Sequence, residues 1–431
     1  MSEVCQVAFI QVVGGRHLFG ELEIQGSKNA VLPILAASIL HKGITKIKHC
    51  PKISDVTSMI KLMESIGCII TWEQENLVIN ASEINYNVVD KKYVGSMRSS
   101  IILLGALLGR NHSVTISYPG GCAIGARPID LHINAIRKMN VDIIQNEEFI
   151  FCSTAEIKGA HIKFEKTSVG ATENVLLTAA LACGITIIEN AAIEPEITEL
   201  CHFLMKMGVT ITGVGTGTLK IEGAKELRDV EYSLVPDRIV MATYMAAVAG
   251  TGGDVTLKGS CAYDNLAVVY ALRKMGCRIG IGKDYINICS FERPKAVPVI
   301  ETKPYPGFPT DMQSQMLSVL SVATGNSVII ENIFESRYRT VNELIKMGAD
   351  IRIFDKAAII CGVDSLYGSE LRAYDLRGGA GLVVAALMAN GVSLIRGVEY
   401  IERGYENICS DLKKLGADIG KVNEEALLTT F

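Results

Sequence analysis

The chain runs to 431 residues, 49% of them hydrophobic and 20% charged, with a formal net charge of −4. That length exceeds one ordinary core and predicts two domains, and the near-neutral charge gives no general attraction to nucleic acid or to a membrane. Twelve cysteines without a C-x-x-C pair speak against zinc and a disulfide framework and for a reducing compartment. The first residues lack a secretory signal pattern, and the longest apolar runs, such as 101–109, are too short for a bilayer, so a cytoplasmic location is expected.

In chain order, one unit of about 70 residues recurs six times. Its surface helix stops at Gly67, Asn140, Gly208, Gly276, Gly348 and Gly416, in a Lys-Met-Gly-x-x-Ile signature clearest at Lys206-Met207-Gly208 and Lys274-Met275-Gly276. A Gly or Asn there accepts left-handed backbone, and a strand is predicted to follow at once. A second helix in each unit is Ala-rich, apolar nearly all round, and predicted to end at Gly43, Gly109, Gly184, Gly250, Gly325 and Gly391. A helix without a polar face belongs inside. Six units divide most simply as three per domain, with buried helices at the centre and sheet outside. Solenoid stacking is the rival, though capping repeats are not evident.

The buried helices are predicted to start near Lys28, Arg98, Ser168, Arg238, Asp311 and Arg377. A cation at a helix N-terminus is electrostatically misplaced unless an anion comes to it. Four such cations in a net acidic chain point to anion-binding helix ends. The alternative for each is pairing with a nearby carboxylate, and Arg238, which follows Pro236-Asp237, is read that way.

Between the second and third units lies Tyr118-Pro-Gly-Gly-Cys122-Ala-Ile-Gly-Ala-Arg127-Pro128. Gly120, Gly121 and Gly125 loosen a loop that carries a thiol. Arg127 and Pro128 are predicted to open an amphipathic helix with the apolar stripe Ile129, His132, Ile133, Ile136 and Met139. A thiol beside a cation and a helix start is where cysteine reactivity rises. His132 faces the stripe and reads as a satisfied core histidine. His112 and Trp72 carry no functional context, and no metal constellation is present.

Together with this loop, Gly26-Ser-Lys28-Asn29, Ser96-Met-Arg98-Ser99, Lys166-Thr167-Ser168-Val169, Glu194-Pro-Glu196, Phe308-Pro-Thr-Asp311, Asp375-Leu-Arg377 and Arg403-Gly-Tyr405 stand in the order and spacing of a known family. The chain resembles the enolpyruvyl transferases end to end, and within them those acting on a nucleotide sugar. The resemblance implies an inside-out α/β barrel in two domains. One would comprise 1–27 plus 237–431, the other 28–236 carrying the Cys122 loop, with the active site in the cleft between them.

It also implies transfer of the enolpyruvyl group of phosphoenolpyruvate to the 3-hydroxyl of UDP-N-acetylglucosamine, with release of phosphate, in bacterial peptidoglycan synthesis. No cofactor or metal is required, and a monomer is expected. By the resemblance, Lys28, Arg127 and Arg403 hold phosphoenolpyruvate, with Arg377 a further cation, and Arg98 touches the nucleotide sugar. Cys122 delivers a proton to the methylene carbon and can form a covalent adduct. Asp311 orients the sugar hydroxyl and takes its proton, unless it is a plain helix-start acid. Arg127, Pro128, Ile129, Asp130 and Leu131, with Lys166, Thr167, Ser168 and Val169, match the uridine and diphosphate segments. Asn29, Ile333 and Arg337 complete the expected contacts.

Departures from the family pattern are Gly378 after Arg377, Ser336, Thr340 and Asn140. The 3-phosphoshikimate branch of the family lacks the cysteine loop. An RNA 3′-phosphate cyclase would need a nucleotidylated His and a basic surface, and an idle sugar-nucleotide binder would not require Cys122, Lys28 and Arg403 together.

Overall fold

The structure is a computed structural model that describes residues 8–84, 88–89, 97–120, 125, 128–259 and 262–423. Among these residues it forms six four-stranded sheets and two compact units, one holding 8–25 and Gly125 with 236–423 and the other 26–120 with 128–235.

The repeat is plainest in the third copy. Strand His161–Lys163 leads into the buried helix Val169–Ala179 and then the parallel strand Ile185–Glu189. The surface helix Pro195–Met207 and the antiparallel pair Thr210–Thr212 and Thr218–Glu222 complete the sheet. Burial alternates along Thr218–Glu222, so one face of the sheet covers the helices and the other is wet. All six predicted turn residues adopt positive φ: Gly67, Asn140, Gly208, Gly276, Gly348 and Gly416, at 115°, 66°, 116°, 103°, 94° and 97°. Asn140 tolerates that region better than other side-chain-bearing residues, and its Nδ2 ties the turn to Glu156 O at 2.9 Å.

Two copies are spliced. Strand Leu18–Glu23 lies parallel to Gly253–Lys258, and Val230–Ser233 lies parallel to Ile44–Lys48. In the first, residues 26–235 stand between strand Leu18–Glu23 and helix Arg238–Thr251; in the second, helix Lys28–Ser38 opens the inserted segment and the strand that completes its copy, Val230–Ser233, closes it. Backbone bonds close each unit across the gap: Asp237 N–H donates to Gln25 O at 2.8 Å, and Ser27 N–H to Val235 O at 2.9 Å. The insertion therefore interrupts neither sheet.

The central helices are Lys28–Ser38, Ile102–Asn111 and Val169–Ala179 in one unit, and Arg238–Thr251, Gln313–Leu320 and Leu376–Met388 in the other. All but Asn29 of the first are buried. Their predicted glycine ends need correction. Helix Lys28–Ser38 stops well before Gly43, while Gly109 and Gly250 lie inside their helices. Gly109 and Gly105 serve close packing instead: a Cβ on Gly105 would stand 2.5 Å from Asn174 O in the neighbouring helix. Pro128 also does not open a helix; Asp130–Arg137 begins two residues later with Ile129 at its N-cap.

Candidate active site

In the unit containing 236–423, the turn Thr310–Met312 carries Asp311 into the buried helix Gln313–Leu320. No side-chain cap bond forms at either start, so Asp311 is not the helix-capping acid that the sequence allows. Its carboxylate is held by two guanidinium groups. Arg337 Nη2 donates to Oδ1 at 2.7 Å, and Arg377 Nε and Nη2 donate to Oδ2 at 3.3 and 3.2 Å. Both arginines are almost fully buried.

Each arginine is fixed from behind. Arg337 also donates to Thr310 O at 3.2 Å and lies 5.6 Å from the Phe334 ring centre. Arg377 stands over the Tyr405 ring at 5.8 Å, and Tyr405 OH bonds Thr243 Oγ1 at 2.7 Å, which also accepts from Gln315 Nε2. Burial opposes the Arg377 charge, but Asp311 and then Tyr405 and Asp237 outweigh it, so the guanidinium holds its proton more firmly than an ordinary arginine. Among the described residues, Arg337 Nε and Arg377 Nη1 are buried donors without a hydrogen-bond partner.

Glu331 organises the adjoining loops. Its Oε1 accepts from Ile333 N at 2.8 Å and Phe334 N at 3.0 Å, and its Oε2 from Thr310 Oγ1 at 2.9 Å. Ile333 is thereby presented at the surface by its backbone. Arg403, half-buried, occupies the turn after helix Val398–Ile401. Gln25 grips that turn, donating to Gly404 O at 3.1 Å and accepting from Glu406 N at 2.8 Å.

In the other unit Lys28 opens its helix behind the Ser27 cap, and its Nζ pairs with Asp55 Oδ2 at 2.8 Å. The carboxylate partner of the alternative reading exists, but the pair is buried rather than superficial. Asn29 is half-buried beside it, and Arg98 starts the turn Arg98–Ile101 that feeds the second buried helix. Pro128 and Asp130 are exposed, Ile129 and Leu131 half-buried. Lys166 is exposed, Thr167 Oγ1 bonds Asn190 Oδ1, Ser168 caps its helix through Ala171 N at 3.3 Å, and Val169 is the first helical residue. Cys122 and Arg127 lie outside the described residues.

Arg238, like Arg377, sits near a tyrosine ring at the start of an aspartate-capped helix. It is buried with its guanidinium 5.9 Å from the Tyr305 ring centre, and Asp237 caps its helix through Ile239 N and Val240 N, both at 2.9 Å.

Sequence reading missed Asp55, Glu331, Asn174 and Glu173. Glu173 and Asn174 left a signal, as the one charged residue and the one amide in a mostly apolar helix. Burial, then Glu196 and Glu194, push the Glu173 carboxyl up to about 8, so it carries a proton at neutral pH. Among the described residues no group of three His, Cys, Asp or Glu side chains could hold a metal, and no helix is long and apolar enough to cross a membrane.

The family profile of EPSP synthase (3-phosphoshikimate 1-carboxyvinyltransferase) matches residues 12–412. A UDP-N-acetylglucosamine 1-carboxyvinyltransferase 2 of Caldanaerobacter subterraneus subsp. tengcongensis is 46% identical over 96% of the chain and 99% of its own length. A UDP-N-acetylglucosamine 1-carboxyvinyltransferase of Geobacter metallireducens is 41% identical over the same shares. Among solved structures, the enolpyruvyl transferase NikO from Streptomyces tendae superposes with a TM-score of 0.87 at 23% identity, covering 97% of this chain and 99% of that one. That likeness speaks for the fold.

Proposed function

The chain belongs to the EPSP synthase family of enolpyruvyl transferases, and from that premise we infer that it moves the enolpyruvyl group of phosphoenolpyruvate onto the 3-hydroxyl of UDP-N-acetylglucosamine, releasing phosphate. The observation that carries the reading is the Asp311 clamp on a chain whose 46% identical relative bears the name of that activity. The product serves peptidoglycan synthesis in the bacterial cytoplasm, and the working form is a monomer.

The chemistry is addition and elimination. A proton goes to the methylene carbon, the neighbouring carbon becomes electrophilic, and the sugar oxygen bonds to it. Loss of a methyl proton and of phosphate then restores the double bond. Cys122 is the proton donor, a role a thiol fills when its cationic neighbourhood adjusts its acidity. Asp311, pinned at both oxygens, is positioned to align the attacking hydroxyl and accept its proton. Lys28, Arg127, Arg377 and Arg403 hold the anionic groups of phosphoenolpyruvate. The partnerless buried donors Arg377 Nη1 and Arg337 Nε support an anionic ligand, because such groups are costly to leave unsatisfied. Arg98, Pro128, Ile129, Asp130, Leu131, Lys166, Thr167, Ser168, Val169 and Ile333 take the sugar nucleotide, with Asn29 beside Lys28.

A phosphate-release assay tests this directly. Phosphate should appear only when phosphoenolpyruvate and UDP-N-acetylglucosamine are both present. Release with 3-phosphoshikimate as acceptor instead would overturn the acceptor assignment. The cysteine role has its own check with an anionic epoxide of the fosfomycin type. Burial pushes Cys68, Cys152 and Cys201 up to about 12 and leaves them inert, whereas Cys183 is exposed and serves as the internal control. Mass spectrometry should find the label on Cys122, with activity lost in step; labelling of Cys183 with loss of activity would refute the role.

A further inference from the structure

Asn174 is wholly buried, and its hydrogen bonds fix the protonation of a neighbour. Its Oδ1 accepts from Gly105 N–H at 2.7 Å. A backbone N–H can only donate, so this end of the amide is the oxygen. The Nδ2 end donates to Ile101 O at 3.1 Å and faces His132 Nδ1 at 2.8 Å. An amide NH₂ can only donate, so Nδ1 carries a lone pair and the proton of a neutral ring sits on Nε2. The ring is neutral: burial, then the Arg98 charge, hold it down to about 4 against the opposing pull of Asp130.

That Nε2–H has no acceptor among the described residues, although His132 is 5% exposed. The ring edge bearing it lies against Gly170, where a Cβ would stand 3.0 Å from Cε1 and 3.3 Å from Nε2. Gly170 is in the first turn of helix Val169–Ala179, next to the Ser168 cap. The leading N–H groups of a helix have no partner inside it. A donor on a buried side chain, with no acceptor among the described residues, thus stands beside a helix start with donors of its own.

We propose that His132 is a binding residue for the sugar nucleotide, donating its Nε2–H to a diphosphate oxygen at the start of helix Val169–Ala179, with Asn174 the positioning residue that locks the tautomer. This rests on the reading that Lys166–Val169 takes the diphosphate. A neutral donor serves here because Arg98 already supplies charge nearby, and a fixed tautomer presents the proton without titrating through the ordinary histidine range.

The test uses two variants that separate the ring nitrogens. In H132Q the side-chain amide reaches the Nε2 position; in H132N it reaches only the Nδ1 position. Calorimetric titration with UDP should show H132Q within about 3-fold of the wild type and H132N weakened about 10- to 100-fold, the range for a hydrogen bond to a charged group. Affinity for uridine should change little in either. The reverse order, with H132N the better binder, would make His132 a packing partner of Asn174 and overturn the proposal. Equal loss for uridine would move the acceptor off the diphosphate and overturn it too. Failure of the wild type to bind UDP would instead remove the parent reading. Should either variant fold poorly, histidine-labelled wild type gives the answer by ¹⁵N NMR. The expected spectrum is an Nε2–H tautomer constant from about pH 5.5 to 8.5, with the Nε2 signal moving on addition of UDP. An Nδ1–H tautomer or an unresponsive signal would refute the proposal.

Discussion

Around Asp311 the protein concentrates charge, while around His132 it removes it. Asp311 draws Arg337 and Arg377 onto its two oxygens, and Arg377 ends more firmly protonated than a free arginine. In the other unit, two titratable groups in or beside helix Val169–Ala179 are driven the opposite way. His132 is held neutral down to about 4, and Glu173 keeps its proton up to about 8. Burial is the largest influence on all three groups, yet the outcomes differ because only Arg377 has a carboxylate paired at hydrogen-bond distance. The lesson is that burial alone discharges a side chain, and that a charge kept inside this protein is kept by a named partner.

The largest expected effect comes from breaking the charged cluster. Asp311→Asn leaves Arg337 and Arg377 facing an amide and removes the base for the sugar hydroxyl. Turnover should fall by about two to four orders of magnitude, while Cys122 alkylation continues and UDP-N-acetylglucosamine binding changes much less. Near-normal turnover would reduce Asp311 to a structural residue and shift the search to another base.

Next in size is the neutral cluster's cost in stability. Glu173 has a folded pKa above its unfolded value of 4.5, so the unfolded chain releases the proton first as pH rises. The wild type should lose stability from about pH 4.5 to about pH 8 and lose no more from this group above that. At pH 7 the loss is about 3 kcal/mol. Glu173→Gln keeps the shape without the charge, and its melting temperature should vary less across that window and exceed the wild-type value at pH 7. Parallel pH curves for the two proteins would show that Glu173 is ionised in the fold.

The smallest effect sharpens the charged side. Gly378 and Thr340, two positions read from the resemblance as departures, meet: a Cβ on Gly378 would lie 2.6 Å from Thr340 Oγ1 and 2.8 Å from Asp375 Oδ2. Asp375 caps the helix through Arg377 N and Gly378 N. Gly378→Ala should therefore destabilise by about 1–2 kcal/mol by overpacking, and a smaller residue at 340, as in Thr340→Ser, leaves the hydroxyl in place and should not rescue it. Thermal denaturation settles the matter, an unchanged or raised melting temperature showing that Thr340 gives way freely.

What the sequence disclosed follows from which choices are local. The six turns were legible because few residues other than Gly and Asn accept positive φ, and a surface helix stopping there leaves a periodic mark. Four of the six buried helix starts, Lys28, Arg98, Arg238 and Arg377, were legible from charge out of place. The helix ends were not, since Gly109 and Gly250 look like caps but sit where chains approach closely. Asp311 shows the limit best. Its partners Arg337 and Arg377 lie 26 and 66 positions away, so only the fold tells a clamp from a cap. His132 read as a satisfied core histidine, and that holds for Nδ1; the proton on Nε2 became visible only through the Asn174 bonds, 42 positions on.

The central claim is that the bond between carbon and the bridging oxygen of phosphoenolpyruvate breaks, not the bond between phosphorus and that oxygen. Phosphoenolpyruvate labelled with ¹⁸O at the bridging position, turned over with UDP-N-acetylglucosamine, distinguishes them. The account predicts that the label leaves entirely in inorganic phosphate while the sugar nucleotide gains a vinyl ether at its 3-oxygen. Label retained in pyruvate, with phosphate on the sugar or free, would mean phosphoryl transfer or hydrolysis and would contradict it.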